Sequence, residues 1–184
     1  MTPRMEPASP PFDDTSTRLL ARITPPGKEP LRLFRTMVRS PRILERMFAG
    51  ALLDPGPLGL RERELMILRT CARCGAEYEW GVHVAYFSAR AGIDAEQVAA
   101  TCGPLPAPCW SERDALVLQL ADALHDAAQV SEPLWQALAQ EFTHEQLLEL
   151  LALAGYYHAI SFLVNGCRVE HETGTPRFPG NAQK

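Results

Sequence analysis

Arg63-Glu-Leu-Met-Ile-Leu-Arg-Thr-Cys-Ala-Arg-Cys-Gly-Ala-Glu-Tyr-Glu-Trp-Gly-Val-His83 is the stretch on which the fold class turns. Stepping about 100° per residue, Ile67, Leu68 and Cys71 gather on one side of a helix over 61–74, while Glu62, Arg69 and Arg73 form the opposite, wet face. Gly75 breaks the run. A second helix over 77–91 carries Glu79, His83, Tyr86 and Arg90 as one polar stripe. Trp80, Val84, Phe87 and Ala91 form one flank of that stripe, and Val82, Ala85 and Ala89 the other.

Outward from this pair the helical period continues and nothing alternates at period two, so the chain reads as all-α. Ser40-Pro41 marks one helix start. Asp94 with Gln97 and Thr143 with Gln146 have capping-box spacing, and Ser111 before Asp114 is a start of the same kind. Helices are predicted over 31–38, 41–53, 60–74, 77–91, 94–102, 112–127, 132–142 and 144–165. The proline-rich beginning has no apolar period, which predicts an irregular arm over 1–30, either flexible or wrapped on the rest. One all-α domain follows over 31–170, then a polar tail over 171–184. The stretch 150–164 is apolar on every side. It is shorter than the roughly 18 residues of a membrane span, and an all-round apolar helix in so small a chain predicts a subunit interface.

A chain of 184 residues has the length of one domain and buries enough surface to fold without a metal or disulfide. The net charge of −4, with no block of like charges, argues against nucleic acid or acidic membranes as partners. Five cysteines, scattered and odd in number, with no secretory signal, predict a cytoplasmic protein.

The chemistry lies on the helix pair. Glu64 falls on the apolar face, where a carboxylate is desolvated unless it finds a partner. It either pairs with an arginine of another helix or serves a site. Glu79 and His83, at i and i+4, are a proton shuttle or a polar pair holding two helices together. The other histidines, His125, His144, His158 and His171, are dispersed, so no metal site and no cofactor is assigned. His158 reads as a satisfied core or interface group, and Tyr78 and Trp80 as packing. Asn165 is either a C-cap or a site contact. Cys71 and Cys74 form a CxxC pair that composition alone would read as redox.

The run from Arg63 to His83, followed by Ala91-Gly92, resembles the carboxymuconolactone decarboxylase family, whose members share the fold of alkyl hydroperoxidase D. Segments 116–125 and 147–165 resemble its longer members. The resemblance implies a helical bundle, assembled as trimers or hexamers, and two chemistries. In the hydroperoxide-reducing branch a Glu is followed, after eleven residues, by CxxC, three residues and a His. Counted from Glu64, the cysteine places fall on Ala76 and Glu79 and the His place on His83. Cys71 and Cys74 sit five residues early. They close a helix, where the dipole raises a thiol's pKa rather than lowering it, and read as buried apolar thiols. The decarboxylase branch carries Glu-x3-His on this helix without cysteines, as Glu79 and His83 do. The resemblance therefore implies a cofactor-free enzyme acting on a small carboxylic acid or lactone. His83, Glu79 and Glu64 would move the proton, and Arg90 and Tyr86 would meet the substrate. The alternatives are a thiol peroxidase using Cys71 and Cys74 as a displaced pair, and a non-catalytic oligomeric helical protein.

Overall fold

In the computed structural model, which describes residues 2–52 and 54–180, every regular element among the described residues is a helix. In chain order these are α1 (Asp14–Ala21), α2 (Arg32–Met37), α3 (Pro41–Ala49), α4 (Leu60–Arg73), α5 (Glu77–Phe87), α6 (Ala95–Ala100), α7 (Glu112–Ala127), α8 (Glu132–Glu141) and α9 (His144–Cys167). The starts follow the capping chemistry. Asp94 and Thr143 each accept from the backbone N–H three residues on, and Gln97 and Gln146 return the bond. Ser111 caps α7 through Asp114 N–H. Ser40 precedes α3 but makes no capping bond, so Pro41 alone marks that start. The predicted helix over 41–53 stops at Ala49, and its last residue, Leu53, lies outside the described residues.

The expectation of an irregular arm over 1–30 is corrected by α1. Asp13 accepts from Ser16 N–H at its start, and Leu19 and Leu20 are buried. The arm itself wraps: Arg4 donates from its backbone N–H to the Cys167 carbonyl at 2.9 Å, and Ala8 from its own to Arg35 O at 3.0 Å.

α4 is the axis of the core. Its residues Leu65 to Leu68 are fully buried, and it packs against α5, α7 and α9. The expected wet face of α4 is instead a charged seam. Arg61 pairs with Asp114, Arg69 with Asp122 and Arg73 with Asp126, each pair 53 residues apart. A constant separation means that α4 and α7 run parallel in fixed register. Arg69 is only 3% exposed. It meets Asp122 through two 2.7 Å bonds and donates also to the Thr101 and Gly103 carbonyls. A single-helix projection could not show this, because a charge row looks the same whether water or a second charge row covers it.

α9 is two turns longer than its all-apolar stretch and has a mean hydropathy of 1.6 over 18 residues, long and apolar enough by composition to cross a membrane. One side, with Leu147, Leu150, Leu153, Ala154, Tyr157, Ile160 and Val164, is buried in the core. The other leaves Leu148 68% and Phe162 69% exposed.

The expected polar tail is docked as far as Phe178, and its last four residues lie outside the described residues. Phe178 meets Trp80 edge-on at 5.3 Å and donates its N–H to Glu77, and Glu172 accepts from the Tyr78 hydroxyl. The tail crosses α5 at Gly81, where a Cβ would collide with the Pro176 carbonyl oxygen. Gly81→Ala should therefore cost about 1–3 kcal/mol by overpacking. That lowers Tm by roughly 3–10 °C and shifts Trp80 emission as Phe178 lifts away. An unchanged melting curve and emission spectrum would show that the tail does not rest there.

Candidate functional site

Gly75 turns the chain between α4 and α5 with a φ of +62°, a left-handed conformation that favours glycine. The two helices then return antiparallel, and the return brings Glu64 level with His83. His83 Nδ1 lies 2.7 Å from Glu64 Oε2. On the other edge of the ring, Nε2 lies 3.0 Å from the Tyr157 hydroxyl of α9 and 3.4 Å from Glu79 Oε1. All four side chains are buried: Glu64 1%, Tyr157 2%, His83 4% and Glu79 7% exposed. The three residues expected to move a proton thus converge on one imidazole, and Glu64 finds its partner there rather than in a remote arginine.

Burial on its own would lower the pKa of His83. The charge and hydrogen bond of Glu64, joined by those of Glu79, outweigh it and push the value up to about 9. At neutral pH the ring is an imidazolium, and both nitrogens donate. Burial, reinforced by the charges of Glu79 and Glu64, holds the Tyr157 phenol well above its ordinary pKa, so the hydroxyl stays neutral. One atom is left over: the buried Glu64 Oε1 accepts no hydrogen bond among the described residues, and Arg63 Nε stands 3.9 Å away. Buried polar atoms are nearly always satisfied, so a carboxylate oxygen held only by an ion pair to Arg63 beside a charged imidazole is an arrangement with chemical capacity. The site holds a proton under load and offers an acceptor next to it.

The remaining expected site residues are not in this cluster. Tyr86 is 54% exposed. Arg90 lies beyond the end of α5, with its guanidinium 5.7 Å from the centre of the Phe87 ring. Phe87 in turn stacks on His83 at 5.1 Å. Arg90 and Tyr86 are thus at the surface, and Arg90 stands one aromatic ring out from the imidazole. Sequence reasoning missed Tyr157 and Phe87. Tyr157 was readable only as an interruption in an apolar helix, although its spacing of four from Ser161 marks a polar seam on the buried side.

Cys71 is buried and Cys74 half-buried at the C-cap of α4, and both are free thiols. Burial pushes the Cys71 thiol well up, with the Glu79 charge adding to it. Burial also raises Cys74, with Ser161 and Arg73 offsetting part of the rise. Asn165 donates to the Cys74 carbonyl at 2.9 Å, which ties α9 to the end of α4. A surface concavity of about 410 Å³ lies elsewhere, between Arg69, Arg73, Cys102 and Pro104, and does not reach His83.

Residues 40–123 match the model of the carboxymuconolactone decarboxylase family. Among curated proteins none matches the sequence. Solved structures share the fold. One is an alkylhydroperoxidase AhpD core, an uncharacterized peroxidase-related protein from Ralstonia eutropha. It superposes with a TM-score of 0.80 at 18% identity over 94% of this chain and 95% of its own. An uncharacterized peroxidase-related protein from Silicibacter sp. gives a TM-score of 0.79 at 15% identity over 95% and 97%. A putative antioxidant defence protein AhpD from Agrobacterium tumefaciens gives 0.69 at 18% identity over 74% and 95%.

Proposed function

We propose, given that residues 40–123 match the model of the carboxymuconolactone decarboxylase family, that the chain is a cofactor-free proton-transfer enzyme acting on a small carboxylic acid or lactone. The observation that carries this reading is the doubly held imidazole: His83 Nδ1 on Glu64 at 2.7 Å and Nε2 facing Tyr157 and Glu79. Nε2 is the nitrogen from which a proton leaves. As the substrate's carbon–carbon bond to its carboxylate breaks and carbon dioxide departs, the electron pair stays on carbon. His83 Nε2–H protonates that carbon, and solvent returns the proton to the ring. Glu64 is a positioning residue acting through Nδ1. Glu79 and the Tyr157 hydroxyl border the side on which the carbon would sit. Substrate would enter over Phe87, with Arg90 as the cation that meets its carboxylate.

Two features weigh against the thiol reading. The places at which the peroxidase pattern keeps its cysteines are Ala76 and Glu79, and burial keeps Cys71 and Cys74 protonated. A screen of small carboxylic acids and lactones in deuterium oxide tests both readings. Turnover should release carbon dioxide and place one deuterium on the protonated carbon, while the count of titratable thiols stays constant during brief hydroperoxide treatment. Loss of two thiols per chain, abolished by Cys71→Ser, would replace this proposal with the peroxidase.

Self-association accompanies the reading. The outer side of α9 presents Leu148 and Phe162 with the small exposed residues Ala152 and Gly155 between them. Covering such a face by another copy of the chain would bury apolar surface at little side-chain entropy cost.

A further inference from the structure

Three side chains far apart in the chain meet where the ends of α4 and α7 approach the middle of α9. Cys74 Sγ lies 3.7 Å from His125 Nδ1, and His125 Nδ1 lies 3.2 Å from His158 Nε2. All three donor atoms are within 4.8 Å of one another. Zinc bonds of about 2.3 Å to sulfur and about 2.0–2.1 Å to imidazole nitrogen, set at tetrahedral angles, separate donors by about 3.6 Å for S···N and about 3.3 Å for N···N. The Cys74–His125 and His125–His158 spacings fit that pattern, and Cys74 and His158 stand within 4.8 Å of each other.

The supporting contacts point the same way. His158 Nδ1–H donates to the Ala154 carbonyl at 2.8 Å, which leaves the Nε2 lone pair directed at His125. An outer hydrogen bond of this kind fixes the tautomer of a metal-binding histidine. Cys74 caps the C-terminus of α4, where the helix dipole favours a cation. Asn165 fixes its backbone. The charged groups around the trio are Arg73, Asp122 and Asp126, and Arg73 is engaged by both carboxylates, so little uncompensated positive charge faces the site. All three ligands are half-buried, which gives an ion a path from solvent.

We propose that Cys74, His125 and His158 bind one divalent cation of the zinc class, with the fourth position left to water or another small ligand. One thiolate and two imidazoles make a donor set suited to zinc rather than to calcium or magnesium, which take oxygen ligands. Binding releases the thiol proton of Cys74 to solvent, and no oxidation or reduction is involved. The site uses none of the residues assigned to proton transfer.

The test uses the full-length reduced protein, titrated with Zn²⁺ against a chromophoric chelator and separately with Co²⁺. One equivalent should bind. The Co²⁺ form should show thiolate charge-transfer absorption in the near ultraviolet together with the intense visible bands of a four-coordinate ion. Cys74→Ser should erase the charge-transfer band, and His125→Gln and His158→Gln should each weaken Zn²⁺ binding by at least about 100-fold, the upper end of what loss of a supporting contact costs. His144→Gln, on an exposed histidine, should change neither. If a ligand variant fails to fold, alkylation mapping of the native chain decides: Zn²⁺ should protect Cys74 and leave Cys102 reactive. Failure to bind an equivalent of Zn²⁺, binding indifferent to all three substitutions, or unprotected Cys74 would overturn the proposal.

Discussion

His83→Gln should lower turnover of an accepted substrate by roughly 100- to 10,000-fold, the usual yield of a positioned general acid, and flatten the protein's dependence of stability on pH. The two readouts separate chemistry from architecture. In the folded chain the imidazole pKa is raised from 6.5 to about 9. A raised folded-state pKa contributes stability that is complete below the unfolded value and lost as pH rises through the folded one. The window is therefore pH 6.5 to 9, and the loss across it is on the order of 3 kcal/mol. Denaturant unfolding at pH 6 and pH 9.5 should show this difference in the native chain and little of it in His83→Gln. A native chain equally stable at both pH values would mean that Glu64 and Glu79 do not hold a charged ring. Retained turnover in His83→Gln would remove the imidazole from the chemistry even if the pH effect were present.

Arg69→Met should cost about 3–5 kcal/mol of stability, as removal of one partner of a buried ion pair does, and lower Tm by about 10 °C. The reason is the number of groups that depend on one guanidinium: both oxygens of Asp122 and the carbonyls of Thr101 and Gly103. Thr101 also accepts from the Trp80 indole, so the loop before α7, the end of α6 and the N-terminal part of α5 are held through neighbouring atoms. Pairing Arg69→Met with Asp122→Leu should recover part of the loss, because no charge is then left unmatched. A cost below about 1 kcal/mol in the single variant would show that the pair behaves as an exposed one.

Much of the helical layout is readable before any coordinates, because it is written in short-range chemistry. Asp94, Ser111 and Thr143 announce their helices through bonds that span three residues. α1 escapes because eight residues between prolines carry too short a period, although Asp13 and the pair Leu19–Leu20 are its traces. The meeting of Glu64, Glu79 and His83 is also legible, since one glycine turn and two regular helices determine it. The trio of Cys74, His125 and His158 is not. Its members stand 51 and 33 residues apart on three helices whose packing no local spacing encodes. The same limit hid the true surroundings of Arg69 and the docking of the tail on Gly81.

The seam between α4 and α7 also carries information about alignment. The arginines at 61, 69 and 73 are spaced by eight residues and then four, and so are the aspartates at 114, 122 and 126. Slide one helix past the other by a single turn in either direction and only one of the three pairs can re-form. An evenly spaced ladder would keep two. The unequal spacing works as a key cut for one position in its lock, so alternative packings of the two helices lose matched charges as well as contacts. His125 reaches Cys74 only in the one alignment that this key admits.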